Sequence, residues 1–271
     1  MHKPSASEVK GAAVREYGKN VDFGRTSDDY ARFRPGPPAS FYDRVERVVP
    51  LRGAVAVDIG TGTGLAAIEM AKRGAKVIGV DPSEEQLAAA AHAAGVAQVP
   101  VEFRVGKAEA LPLVDETIDL YMALQCWHWF DPVKAGAEAL RVLKKGGVAM
   151  AASFDYLPRR SRVAGRTEEL ILKYNPGWPA AGGQGVHLNP MQQLPDAGFV
   201  DVEQAGYEHV QVFTHEAWRG RMRTCNGVGA SLPAEKVAAF DAELAGVLAR
   251  EFSEELRVEH RVWMVWGRKA T

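Results

Sequence analysis

The residues best suited to chemistry begin with the run VDIGTGTGLA, residues 57–66. A glycine-rich turn that follows a strand and opens a helix lets backbone N–H groups approach a ligand, because Gly60, Gly62 and Gly64 have no β-carbon to collide with it. Asp58 and Thr61 belong to the same run. Asp81, just before Pro82, lies twenty-one residues beyond Gly60 at the end of a second apolar run. There a carboxylate can accept both hydroxyls of an adenosine ribose. Dinucleotide and S-adenosylmethionine binders share these two features. The spacing here is GxGxG rather than the GxGxxG of a pyrophosphate turn, which favours S-adenosylmethionine.

A second group is ALQCWHWFD, residues 123–131, which follows a strand-like run and holds Gln125, Cys126 and His128 among aromatic rings. Ligands of open α/β sheets bind outside the carboxyl ends of the strands, so this stretch is expected at the reaction centre. Its rings would exclude water and face a cationic methyl donor. Gln125 is a hydrogen-bond donor for cofactor or substrate, and His128 a wall residue. Arg221 and Arg223 follow Trp218 in a helical stretch, and a guanidinium matches a carboxylate bidentately. Arg223 is the candidate for a substrate carboxylate, with surface charge as the plainer alternative. No residue stands out as a general base, and Cys126 and Cys225 read as packed thiols.

The elements that must position these residues alternate. Strands are expected over 54–60, 76–81, 101–105, 117–124 and 147–154, with helices between them, the pattern of an α/β domain with a mostly parallel sheet. Ser83 with Gln86 forms a helix-start signal, with Gly95 as the stop, and Asp131-Pro132 opens the next helix, which Gly146 and Gly147 should end. ASFYDRVERVV reads as an amphipathic helix through Phe41, Val45 and Val48. Residues 156–198, rich in Pro, Gly and Arg, are expected as a helical cap insertion over the site. Two further strands and a helix through Val237, Phe240, Leu244 and Val247 complete the chain. A single domain is expected over 1–271, divided as an N-terminal arm 1–50, a cofactor-binding core 51–155, the cap 156–198 and a C-terminal part 199–271.

Composition narrows the partners. The 271 residues are 46% hydrophobic and 25% charged with a net charge of −1, enough for an ample core. Scattered Lys and Arg give no footprint for nucleic acid or an anionic membrane, so a small-molecule partner is expected. Two cysteines make no disulfide framework. The start has no signal-like apolar segment and no run is long enough to span a bilayer, so a cytoplasmic location is expected. Subunit number is left open.

VDIGTGTG, VIGVDPSEEQL, GKAEALPLVDETIDLYMALQCWHWFD and RVLKKGGVAM together resemble the class I S-adenosylmethionine-dependent methyltransferases of the type 11 group, over residues 30–155. That resemblance implies a Rossmann-like, seven-stranded sheet whose last strand is antiparallel and inserted beside the fifth. Asp58 and the glycines would face the methionine part of the cofactor, Asp81 its ribose, and Lys107, Ala108 and Glu109 its adenine. YARFRP is similar to the segment that closes over the cofactor in the trans-aconitate methyltransferase-like branch, which makes Tyr30 and Arg34 candidates for the cofactor carboxylate. A solvated arginine is the even alternative for Arg34.

In that fold the last strand begins on the active-site side, which would bring His260 to the pocket rim beside His187 of the expected cap. Two imidazoles with Gln125 would leave open positions on zinc or iron. A loop histidine and a hydrogen-bonded strand histidine are the plainer alternatives. The C-terminal third resembles the bacterial α-keto acid C-methyltransferases. The favoured expectation is therefore C-methylation at the β-carbon of a 2-oxo acid through a metal-chelated enol, with a small carboxylate-bearing substrate. O-methylation of a carboxylate is the alternative. A nicotinamide-dependent oxidoreductase and a non-catalytic S-adenosylmethionine-binding protein are the alternatives of other classes.

Overall fold

The computed structural model describes residues 32–271. They form two compact units. The sheet unit gathers Pro35–Tyr156, Gln184–Val210 and Glu259–Thr271, and the helical unit gathers Leu157–Gly183, Gln211–Val258 and the described residues up to Arg34.

The sheet unit opens with α1 (Ala39–Val48), β1 (Val55–Ile59), α2 (Leu65–Lys72), β2 (Lys76–Asp81), α3 (Glu84–Val96), β3 (Val101–Val105) and β4 (Ile118–Leu124). After a short 3₁₀ turn, Trp127–Trp129, come α4 (Pro132–Val142) and β5 (Leu143–Tyr156). Farther along, α5 (Arg162–Tyr174), α7 (His215–Arg223) and α8 (Ala234–Glu251) belong to the helical unit, and α6 (Asn189–Ala197) to the sheet unit. The long strands β6 (Val200–Phe213) and β7 (Leu256–Arg268) run from one unit into the other.

The seven strands are ordered β3-β2-β1-β4-β5-β7-β6. β1 to β5 pair in parallel, and β7 runs antiparallel to β5. This is the Rossmann-like class I arrangement, with the last strand beside the fifth. Alternation sends Val57, Ile59, Tyr121, Ala149 and Val265 to one face, where they pack with Ala135 and Ala139 of α4. Ala56, Leu120, Met122, Met150, Val262 and Met264 go to the other, under Phe41, Tyr42 and Val45 of α1. Fully burying an aliphatic or aromatic side chain of this kind stabilises the fold by about 1.5–3 kcal/mol.

Local signals act as the sequence predicts at two helix starts. Ser83 Oγ accepts from the Gln86 N–H, and Asp131 Oδ1 accepts from the N–H groups of Val133 and Lys134. Two stops differ. α3 runs through Gly95 to Val96, and α4 gives way at Leu143, before the glycine pair, because Leu143 pairs with Ile118 ahead of a register irregularity in the β4–β5 ladder.

Within the segment expected as a cap, α6 packs on α4: Leu194 is fully buried in the same core as Ala135 and Ala139, and a Cβ on Gly136 would lie 2.6 Å from Ala197. Residues 189–197 therefore belong to the helical layer of the sheet.

Candidate active site

The carboxyl-terminal edge of the parallel strands collects the polar groups. Gly60 follows β1, Asp81 ends β2, Gln125 follows β4, and Asp155 is the penultimate residue of β5. A parallel sheet places ligands outside this edge.

The glycine loop is held from both sides. Gly60, Gly62 and Gly64 all have positive φ, +62°, +53° and +80°, where a β-carbon is strained. At Gly60 a β-carbon would also lie 2.9 Å from Cys126 Cβ. Cys126 donates its thiol to Ile59 O at 3.0 Å, so this cysteine is a packed support of the turn, as expected. At Gly62 the nearest atom to an added β-carbon is Gln86 Oε1 at 3.8 Å, which leaves the backbone open to a ligand.

Asp81 is the loop's clamp. Its Oδ2 accepts from the Gly62 N–H and its Oδ1 from the Ser83 N–H, both at 2.9 Å. These bonds orient the carboxylate and leave lone pairs on both oxygens for a diol. Asp58 is buried at the centre of the sheet, in register with Gly79 of β2 and Met122 of β4, and accepts from Thr61 Oγ1 at 2.6 Å. Burial pushes its carboxyl up from 3.8 to about 7, against the opposing hydrogen bonds of Thr61 and Ala67. A cationic ligand group would favour its ionised form. Thr63 Oγ1, in the same loop, is buried with no hydrogen-bond partner among the described residues. A loop open at Gly62, a buried acid and an unsatisfied hydroxyl fit a polar cationic cofactor.

Around the adjacent strand ends, Lys107 bridges to Ala110, Ala108 is buried in the core, and Glu109 Oε1 accepts from the Asp131 N–H at 2.9 Å. Pro82 lies between Asp81 and Ser83, whose N–H Asp81 holds, and begins the turn into α3. The aromatic stretch is divided between core and surface. Trp127 is a core residue whose Nε1 donates to Gln193 Oε1 at 2.7 Å, with Phe130 edge-on at 6.0 Å. His128 lies tilted against the more exposed Trp129, ring centroids 4.8 Å apart.

Gln125 adopts φ +63°, a left-handed conformation rare for a non-glycine residue. Its Nε2 donates to Phe154 O at 2.7 Å and Asp155 Oδ1 at 3.2 Å. The other carboxylate oxygen of Asp155 meets His187 Nε2 at 2.7 Å, and His187 O accepts from Trp263 Nε1 at 3.2 Å. The Asp155 carboxylate holds the His187 imidazole above its ordinary range, against burial.

The expected metal set is not assembled. Phe154 pairs with Val262 and Tyr156 with His260 in the β5–β7 ladder, so His260 shares their face and is fully buried, stacked 4.7 Å from Phe154. Asp155, which holds His187, projects to the opposite face by strand alternation. Among the described residues no three His, Cys, Asp or Glu groups come together as metal ligands. His260 is a core histidine, and His187 and Gln125 are engaged with a carboxylate.

In the helical unit, Arg223 Nη1 donates to Asp241 at 3.1 Å and its guanidinium lies 5.6 Å from the Phe33 ring. Arg221 is buried over Trp218. Burial pushes the Cys225 thiol up, while the Gly227 backbone and the charges of Arg221 and Arg34 act to lower it, so Arg34 lies within electrostatic reach of Cys225. Tyr30 lies outside the described residues.

Residues 57–151 match the family model described as a methyltransferase domain. That match runs from β1 into β5 and takes in the glycine loop and Gln125. An uncharacterized methyltransferase of Mycobacterium tuberculosis is 35% identical over 47% of this chain and 50% of its own length, so the chain spans about half the length of that curated relative. A ubiquinone biosynthesis O-methyltransferase of a Ruegeria species is 28% identical over 67% of this chain and 73% of its own. A solved structure from Anaeromyxobacter dehalogenans, described as a candidate type II methyltransferase, shares the fold with a TM-score of 0.62 at 24% identity, over 88% of this chain and 99% of its own. No described helix is long and apolar enough to cross a membrane.

Asp155 went unnoticed in the sequence. The signal was its place: ASFDY ends the fifth strand, on the same edge as Asp81 and Gln125.

Proposed function

We propose that the protein is an S-adenosylmethionine-dependent methyltransferase acting on a small carboxylate-bearing molecule. The observation that carries this reading is the Asp81 carboxylate, fixed by Gly62 and Ser83 beside a glycine loop with a buried acid at its base. The loop and Asp58 hold the amino-acid tail of the donor, Asp81 its ribose, and the segment Lys107 to Glu109 its adenine. Positioning supplies much of the rate in such a transfer, since donor and acceptor need only meet in line.

Carbon methylation of a 2-oxo acid is the favoured reaction, with no chelated metal invoked, because among the described residues no three His, Cys, Asp or Glu groups come together as ligands. O-methylation of a carboxylate is the second reading, supported by the trans-aconitate methyltransferase-like motifs. Calorimetric titration with S-adenosylhomocysteine tests the donor assignment. Binding to the native chain, and its weakening by at least tenfold in Asp81→Ala, is the expected result. Equal affinity in the two proteins, or binding of NADH instead, refutes it.

A further inference from the structure

We propose that Asp155 and His187 form the proton-accepting pair of this enzyme, and that its acceptor is therefore one that must surrender a C–H or O–H proton. The proposal rests on the methyltransferase reading and narrows it to a class of acceptor.

The described contacts of the pair fix one imidazole at the edge where ligands bind. His187 Nε2 lies 2.7 Å from Asp155 Oδ2. Asp155 Oδ1 is held by the Gln125 amide, which is itself held by Phe154 O. The backbone of His187 is anchored by Trp263. With Nε2–H donated to the carboxylate, Nδ1 is left as the basic nitrogen. The His187 side chain is 39% exposed, so it is reachable from outside, unlike the wholly buried His260. Arg261 stands opposite Asp155 in the ladder, with Nη2 on Glu208 at 2.9 Å and Nη1 on Gln184 O at 2.8 Å.

Gln125 follows β4, which lies between β1, the strand that leads into the glycine loop, and β5, which carries Asp155. An acceptor over β4 thus reaches the donor on one side and His187 on the other. Nδ1 takes the acceptor's proton, and the electron pair left behind forms the bond to the methyl carbon. The methyl–sulfur bond breaks with its pair kept on sulfur, turning the sulfonium into a neutral thioether. The imidazolium then returns its proton to solvent. A carboxylate acceptor is already ionised at neutral pH and would give such a pair nothing to do. A 2-oxo acid or a phenol would need it, and a positioned base contributes roughly 10²–10⁴-fold. Gln125 acts here as a positioning residue through Asp155.

The test uses the full chain with S-adenosylmethionine and three probe acceptors: phenylpyruvate, 3,4-dihydroxybenzoate and trans-aconitate. The expected result is methylation of the phenylpyruvate carbon or of a dihydroxybenzoate phenol and not of trans-aconitate. His187→Gln should then lose at least 100-fold in kcat while binding S-adenosylhomocysteine normally, and Asp155→Asn should move the ascending limb of the pH–rate profile to lower pH. Methylation of trans-aconitate alone or of no probe, a His187→Gln rate within threefold of native, or an unmoved limb in Asp155→Asn overturns the proposal. Failure of the native chain to bind S-adenosylhomocysteine would overturn the methyltransferase reading and the pair with it.

Discussion

Replacing Asp58 by Asn should stabilise the protein at alkaline pH while weakening its hold on the methyl donor. Asp58 is buried in β1, and burial pushes its carboxyl from 3.8 to about 7. A folded pKa raised by roughly 3 units corresponds to about 4 kcal/mol. The sign follows from proton linkage. Between those two values the folded chain holds a proton that the unfolded chain has released, so unfolding becomes easier as pH rises, by about 1.4 kcal/mol per unit. The contribution is complete below pH 3.8 and gone above about 7, where the buried carboxylate is ionised.

Asn has no charge to bury, and its side-chain carbonyl can still accept from Thr61 Oγ1. Urea unfolding of both proteins from pH 5 to 8 should give curves that converge at the acid end. At pH 8 the Asn variant should be the more stable by about 2–4 kcal/mol. The donor reverses the preference, because its amino group favours the ionised acid. S-adenosylhomocysteine should accordingly bind native protein more tightly as pH rises from 5 to 7, and the Asn variant should lack that slope. Parallel stability profiles for the two proteins, or a variant weaker at pH 8, would refute the assignment of a charged, desolvated Asp58.

Other expectations rest on separate contacts. Gly60→Ala places a β-carbon 2.9 Å from Cys126 Cβ at φ +62°. Strain and overpacking together should cost about 2–4 kcal/mol, whereas Gly53→Ala, with φ +82° but nothing within 4 Å, should lose only about 1–2 kcal/mol; equal urea midpoints would contradict the packing argument. Trp127→Phe removes the indole bond to Gln193 and should destabilise by about 1 kcal/mol, with no loss seen in urea unfolding if that bond contributes nothing. Asp155→Asn should lower the His187 titration midpoint in NMR, because the carboxylate is what raises it. Since the folded pKa is raised, the pair contributes fully below the ordinary imidazole range and progressively less as pH rises through its folded value. An unchanged midpoint would mean that the contact is absent in solution.

What the sequence disclosed and what it concealed divide along a physical line. Alternating apolar runs dictate strands whatever surrounds them, and Ser83 and Asp131 cap their helices through bonds two or three residues away. The glycine loop and Asp81 were legible for the same reason: the chemistry is local, with one long step across neighbouring strands. The side of the sheet on which a histidine lies is not local. His187, in the loop before α6, and His260, inside β7, look alike as isolated imidazoles, and only the β5–β7 register, Tyr156 opposite His260 and Arg261 opposite Asp155, shows which face each strand residue takes. α6 lies in a Pro-rich segment, and its place in the layer over the sheet follows from tertiary packing alone, with Leu194 buried beside α4. Asp155 is the instructive omission. Taken alone it is one acid among many, but the strand-end rule that singled out Asp81 applies equally to β5. Once His187 is brought to it, the acid fixes an imidazole where a metal had been expected, and activation of the acceptor passes from Lewis acid to base.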